Sequence, residues 1–125
     1  MTVFLVLQKP FSKYSDVRGH GYEYPTSIPN GRNIEEGDYL VCCLTKKNAT
    51  NAQRVFGVGR IGFIRHYEKD GREHAFAEYV VYRELTPPLT FEEIGGDPRN
   101  NKTNAINRLG RERGDSLLEA LLFAN

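Results

Sequence analysis

Residues 54–64, RVFGVGRIGFI, constrain this chain more than any other stretch. Their β-branched and aromatic side chains read as a strand, yet Gly57, Gly59 and Gly62 interrupt it. Glycine inside a strand weakens it and marks a bulge, a tight bend, or the close approach of another backbone or a ligand. A strand so interrupted should curl, as a small closed barrel requires. The pleat assigns Val55, Gly57, Gly59, Ile61, Phe63 and Arg65 to one side, and Arg54, Phe56, Val58, Arg60, Gly62 and Ile64 to the other. Neither side is wholly polar, so the strand is expected to be central. Its glycines serve either curvature or the approach of a flat ligand to bare backbone.

The neighbouring segments supply partners for such a strand. Residues 2–7, TVFLVL, form a short apolar run expected to be a buried first strand, ended by Lys9 and Pro10. Residues 34–38 make a turn into a strand over 39–45, and the polar run 46–52 reads as a loop. Asp70 and Gly71 lie between two β-rich runs and predict a hairpin, with 53–68 antiparallel to 73–84. After Pro87 and Pro88 the period changes. Thr90 followed by Glu93 is a capping-box pattern for a short helix that Gly95 and Gly96 would stop. A second short helix is expected over 103–109, with Ile106 and Leu109 facing inward. A last one, capped by Asp115 or Ser116, would share Leu117, Leu118, Leu121 and Leu122 on one face. The expectation is an α+β fold: a small, mostly antiparallel β-barrel with peripheral helices and a C-terminal helical segment over 102–124.

Size and composition agree with one such domain. The 125 residues fit the usual span of about 100–200 per domain. With 39% hydrophobic and 26% charged residues, the chain has an ordinary globular balance. No apolar run approaches the length of a membrane span and no basic, then apolar, leader opens the chain, so a cytoplasmic protein without membrane contact is expected. Cys42 and Cys43 are adjacent and should point to opposite faces of their strand, unable to bridge each other and poor as a zinc site. A net charge of +1 excludes a strongly basic, indiscriminate nucleic-acid binder but leaves room for a local patch. The basic residues are 11 Arg to 6 Lys, and Arg is the better fork for phosphates and base edges.

Two constellations could carry binding. Residues 11–33 form a long segment, expected to be an ordered functional loop, which holds Tyr14, Tyr22 and Tyr24 with Arg18, His20 and Arg32. Tyrosine rings can stack on an extruded base while their hydroxyls meet its edge and nearby cations hold flanking phosphates. Around residues 99–108, a run of asparagines with Lys102, Thr103 and Arg108 reads as an anion site or a solvated helix cap. Catalysis has little to stand on. His20, His66 and His74 are scattered, and the pairs Glu35/Glu36 and Glu92/Glu93 fit a turn and a helix start. A small enzyme acting on a nucleotide or nucleic acid would have to use Asp16 with His20 or His66. A third possibility is a protein-interaction module docking through the apolar C-terminal helix. No metal site and no cofactor is expected.

The order of these features resembles the PUA-like superfamily, and most closely the EVE-like domains that serve as modified-base sensors of modification-dependent restriction endonucleases. The resemblance rests on TVFLVL, IEEGDYLVCC and FGVGRIGFI, and on Tyr14, Asp16, Gly19, Tyr22, Tyr24 and Pro25 in a YxDxxGxxYxYP-like order. A KTNAI-like segment, Lys102 to Ile106, closes it. It spans roughly residues 2–109. It implies a single PUA/EVE-like domain that binds nucleic acid, DNA ahead of RNA, and reads a flipped, modified cytosine without catalysis. An RNA-binding PUA-like module is the alternative. Tyr14, Tyr22, Tyr24, Pro25, Gly57, Gly59 and Phe63 would form the base pocket. Arg18, His20, Arg32, Arg60, Lys102, Asn104 and Arg108 would hold the backbone. The implied partners are nucleic acid and a nuclease or helicase domain in the full-length protein or operon.

Overall fold

The computed structural model describes residues 1–8, 19–44 and 53–123. Among these described residues six strands form one sheet: β1 (Val3–Gln8), β2 (Gly21–Pro25), β3 (Tyr39–Leu44), β4 (Arg54–Lys69), β5 (Arg72–Thr90) and β6 (Ile106–Arg108). They lie side by side in the order β2-β5-β4-β3-β1-β6. All neighbours are antiparallel except β1 and β3, which run parallel. Helix α1 (Arg111–Leu118) follows and continues into a π-helical turn, Glu119–Phe123.

β4 and β5 are the spine, joined as the sequence predicts by a two-residue turn. Asp70 and Gly71 take φ of 53° and 74°, the left-handed pair that matches the twist of a hairpin. β4 is central, as expected, between β3 and β5. It does not keep the simple pleat. Register shifts fall between Val55 and Gly57, between Arg60 and Ile61, and between Ile61 and Phe63. The first shift reverses the phase of β4, so Val55 and Val58 pack in one cluster while Phe56 and Ile61 pack in the other. The glycine-laced strand therefore both bends and re-aims its side chains.

The two clusters lie on opposite faces of the sheet. Cys42 belongs to one and Cys43 to the other, both as free, buried thiols. One cluster joins Phe4, Leu40, Phe56 and Ile61 to Tyr22 and Tyr24 of β2 and Ile106 of β6. Both edge strands contribute to it, so the sheet curls around it into a half-barrel. Asn30, in the turn after β2, ties the two edges by donating from Nδ2 to the Ile106 carbonyl at 3.0 Å. The other cluster joins Val3, Val41, Val55 and Val58 to Leu117, Leu118 and Leu121, which cover that face.

Five local expectations are corrected. The segment 11–33 is not wholly loop: β2 occupies Gly21–Pro25 and all five residues are buried. Gly21 admits no side chain, because a Cβ there would lie 2.5 Å from the Ala77 carbonyl oxygen. β5 does not end near residue 84. Residues 85–88 face only Phe56 between the pairs Gly57↔Glu84 and Val55↔Leu89, so Pro87 and Pro88 sit where no ladder bond is required. The Thr90/Glu93 capping box does form, with Glu93 N donating to Thr90 Oγ1 at 3.1 Å and Thr90 N to Glu93 Oε1 at 3.0 Å, but it closes a turn and no helix follows. Residues 103–109 are turn and strand: Ile106 and Leu109 enter opposite clusters, which a strand allows and one helical face does not. The last helix begins earlier than expected, behind Gly110.

Candidate functional site

The glycines of β4 are seats for aromatic rings of β5. A Cβ on Gly59 would lie 2.5 Å from Cδ1 and 2.8 Å from Cγ of Tyr79, and one on Gly57 would meet the Tyr82 hydroxyl. Both glycines are buried, and the space above them belongs to these two tyrosines. Tyr79 and Tyr82 stack on each other with centroids 5.4 Å apart and planes 25° apart. They stand three positions apart, so a regular strand would put them on opposite faces; the bulge at Val80 brings them together. The Tyr79 hydroxyl lies 3.2 Å from Cys42 Sγ, and the Tyr82 hydroxyl donates to Glu84 at 2.7 Å. Both rings are half-buried against the inner cluster.

Beside Tyr79 opens a recess of about 420 Å³, lined by Gly19, His20, Arg65, Phe76, Glu78 and Tyr79. The Tyr79 amide donates to the His20 carbonyl at 2.9 Å, which fixes the chain entering β2 over β5. Arg65 lies over the Phe76 ring, 5.3 Å from its centroid. A cation held on a ring keeps its in-plane donors for a ligand. The recess thus combines ring surface, a guanidinium, an imidazole and one carboxylate.

The residues expected in a base pocket are dispersed. Tyr22 and Tyr24 stack on each other, with centroids 5.4 Å apart, but inside the core at 4% and 1% exposure. Burial pushes the Tyr24 phenol up to about 12, so it is neutral at any physiological pH. Pro25 ends β2, also buried. Phe63 lies beyond the third register shift, 51% exposed, opposite Glu78. Tyr14 and Arg18, with Asp16, lie outside the described residues.

Of the expected phosphate contacts, His20 lines the recess, and Arg60 is exposed with its guanidinium 5.9 Å from the Tyr39 ring centroid. Arg32 stands exposed in the turn after β2, where its charge, behind the hydrogen bond from Thr26, helps hold the Glu73 carboxyl below its usual range. Asn104 and Arg108 come together elsewhere, in a cleft of about 600 Å³ shared with Asn100, Asn101 and Arg111. Lys102 is exposed and bears instead on Asp97, whose carboxyl is held low chiefly by hydrogen bonds from Arg99.

No model of a known protein family matches this chain, and no curated protein matches it.

Tyr79, Tyr82, Phe76 and Arg65 were missed by sequence reasoning that kept to a regular pleat. A signal existed. Counting outward from the Asp70/Gly71 turn sets Gly59 opposite Tyr82 and Gly57 opposite Glu84. Large aromatic residues facing strand glycines are a known device for covering bare backbone. Among the described residues there is no group of three or more His, Cys, Asp or Glu placed to hold a metal ion, and no helix long and apolar enough to cross a membrane.

Proposed function

We propose that this protein is a nucleic-acid-binding reader built on a PUA-like, EVE-like barrel, which receives a single extruded base, modified cytosine in DNA first, in the recess beside Tyr79. One observation carries the reading: two stacked tyrosine rings seated on bare glycine backbone reach, through Tyr79, a recess that also holds Arg65, His20 and Phe76. A base offers a π face and a polar edge. Rings meet the face; guanidinium, imidazole and carboxylate meet the edge or a flanking phosphate. Extrusion costs a few kcal/mol. Stacking on an aromatic side chain offsets about 1–3 kcal/mol of that per base, and edge hydrogen bonds and phosphate contacts must supply the remainder. Tyr22 and Tyr24, buried in the cluster that Tyr79 and Tyr82 pack against, brace the site from the core. No bond is made or broken in this reading. Two free, buried thiols suit the reducing cytoplasm proposed as its location.

Fluorescence anisotropy on matched duplexes carrying cytosine, 5-methylcytosine or 5-hydroxymethylcytosine, at two salt concentrations, tests it. One modified duplex should be preferred at both salts. Tyr79→Ala should lower its affinity about tenfold or more, the size of one lost stacking contact. Glu36→Ala, in an exposed turn, should leave it unchanged. Binding that ignores the base and collapses with salt would contradict the reading, since phosphate contacts alone behave that way.

A further inference from the structure

We infer that the cleft between the start of β1, the 100–104 turn and the start of α1 is a phosphate-binding site, separate from the aromatic recess. At about 600 Å³ it is roomier than the recess, and its polar wall includes Asn100, Asn101, Asn104, Arg108, Arg111 and Asp115. Neither the Arg108 nor the Arg111 guanidinium has a hydrogen bond, ion pair or ring contact with another described residue, so both are uncommitted beside it. Two guanidiniums against one carboxylate leave the cleft cationic, and Arg forks match phosphate oxygens.

The wall is built rather than draped. Asn107, fully buried, donates from Nδ2 to the Asn104 carbonyl at 3.0 Å and accepts from the Asn101 amide at 3.1 Å, holding the turn from beneath. Arg108 is anchored in β6 by its pairing with Phe4. Asn104 adds an amide that can donate to an oxyanion. Lys102, the cation the sequence singles out here, is not in this wall; Arg111, which it passes over, is.

The recognised chemistry is a phosphate, from a nucleic-acid backbone or from a free nucleotide or inorganic phosphate. The backbone source rests on the reader function proposed above; the cleft itself does not. Two measurements separate them. In the first, anisotropy with a 20-base-pair duplex over a salt series compares the wild type with Arg108→Ala/Arg111→Ala. Backbone contact predicts that the slope of log affinity against log salt falls by about 1 per arginine while discrimination between bases is retained. In the second, inorganic phosphate is titrated into the wild-type protein and the arginine Nε–H resonances are followed by NMR. Shifts confined to Arg108 and Arg111 support the cleft even if no duplex binds, and assign it to free phosphate. An unchanged salt slope together with unmoved arginine resonances would overturn the site, whatever the fate of the aromatic recess.

Discussion

A glycine beneath an aromatic ring is a steric requirement that a single methyl group tests. Gly59→Ala places a Cβ against the root of the Tyr79 ring, where rotation of the ring offers little escape. Overpacking of that kind costs about 1–3 kcal/mol. Gly59→Ala/Tyr79→Ala should recover part of that loss, a coupling that a double-mutant cycle by denaturant unfolding would read. Tyr24→Ala is a different experiment. The ring is 1% exposed, and emptying such a site costs about 3–5 kcal/mol by analogy with other large aromatic truncations. The variant should therefore lose thermal stability first, and any loss of binding would follow from that. Tyr24 stood out in the sequence because its composition matches a ligand wall equally well. A tyrosine between glycines and prolines carries no mark of whether its ring faces a ligand or a core.

Among the elements, the β4/β5 hairpin was legible because its turn chemistry is local. Asp70 and Gly71 hold positive φ without help from the rest of the fold. Gly71→Val should cost about 1–2 kcal/mol, the price of a left-handed conformation for a residue with a Cβ, and equilibrium unfolding would show it as a lower denaturant midpoint with an unchanged slope. β2, β6 and the far end of β5 were not legible, since each depends on a partner distant in the chain. β2 is fixed by β5, and β6 by β1. Residues 85–88 survive in a strand only because Phe56 alone faces them. The capping box at Thr90 and Glu93 shows the converse: its local signal was met, yet no amphipathic run follows to propagate a helix. The candidate site suffered most, because bulges decide which side chains share a face and bulges are set between strands.

At the scale of the whole molecule, a core closed on both faces of one sheet brings ionisable groups into it. Burial raises the Cys43 thiol from 9.0 to about 12 and the Tyr24 phenol from 10.0 to about 12. The folded state then keeps protons that the unfolded chain releases, so stability is full below pH 9.0 and falls as pH rises toward about 12. Denaturant midpoints should be level up to that point and decline beyond it; in Cys43→Ala the decline should begin later, near pH 10.0, where only Tyr24 remains. On the same closed core, the recess beside Tyr79 brings rings and a guanidinium to solvent together. Whether a base leaves its duplex to enter that recess can be observed directly. A duplex with 2-aminopurine beside the modified cytosine should brighten when the wild-type protein is added, because loss of stacking relieves quenching. It should stay dark with Tyr79→Ala at a concentration that still binds. Saturating binding by the wild type with no rise in fluorescence would mean that the base stays in the stack, and that the tyrosines on the glycine strand serve the fold alone.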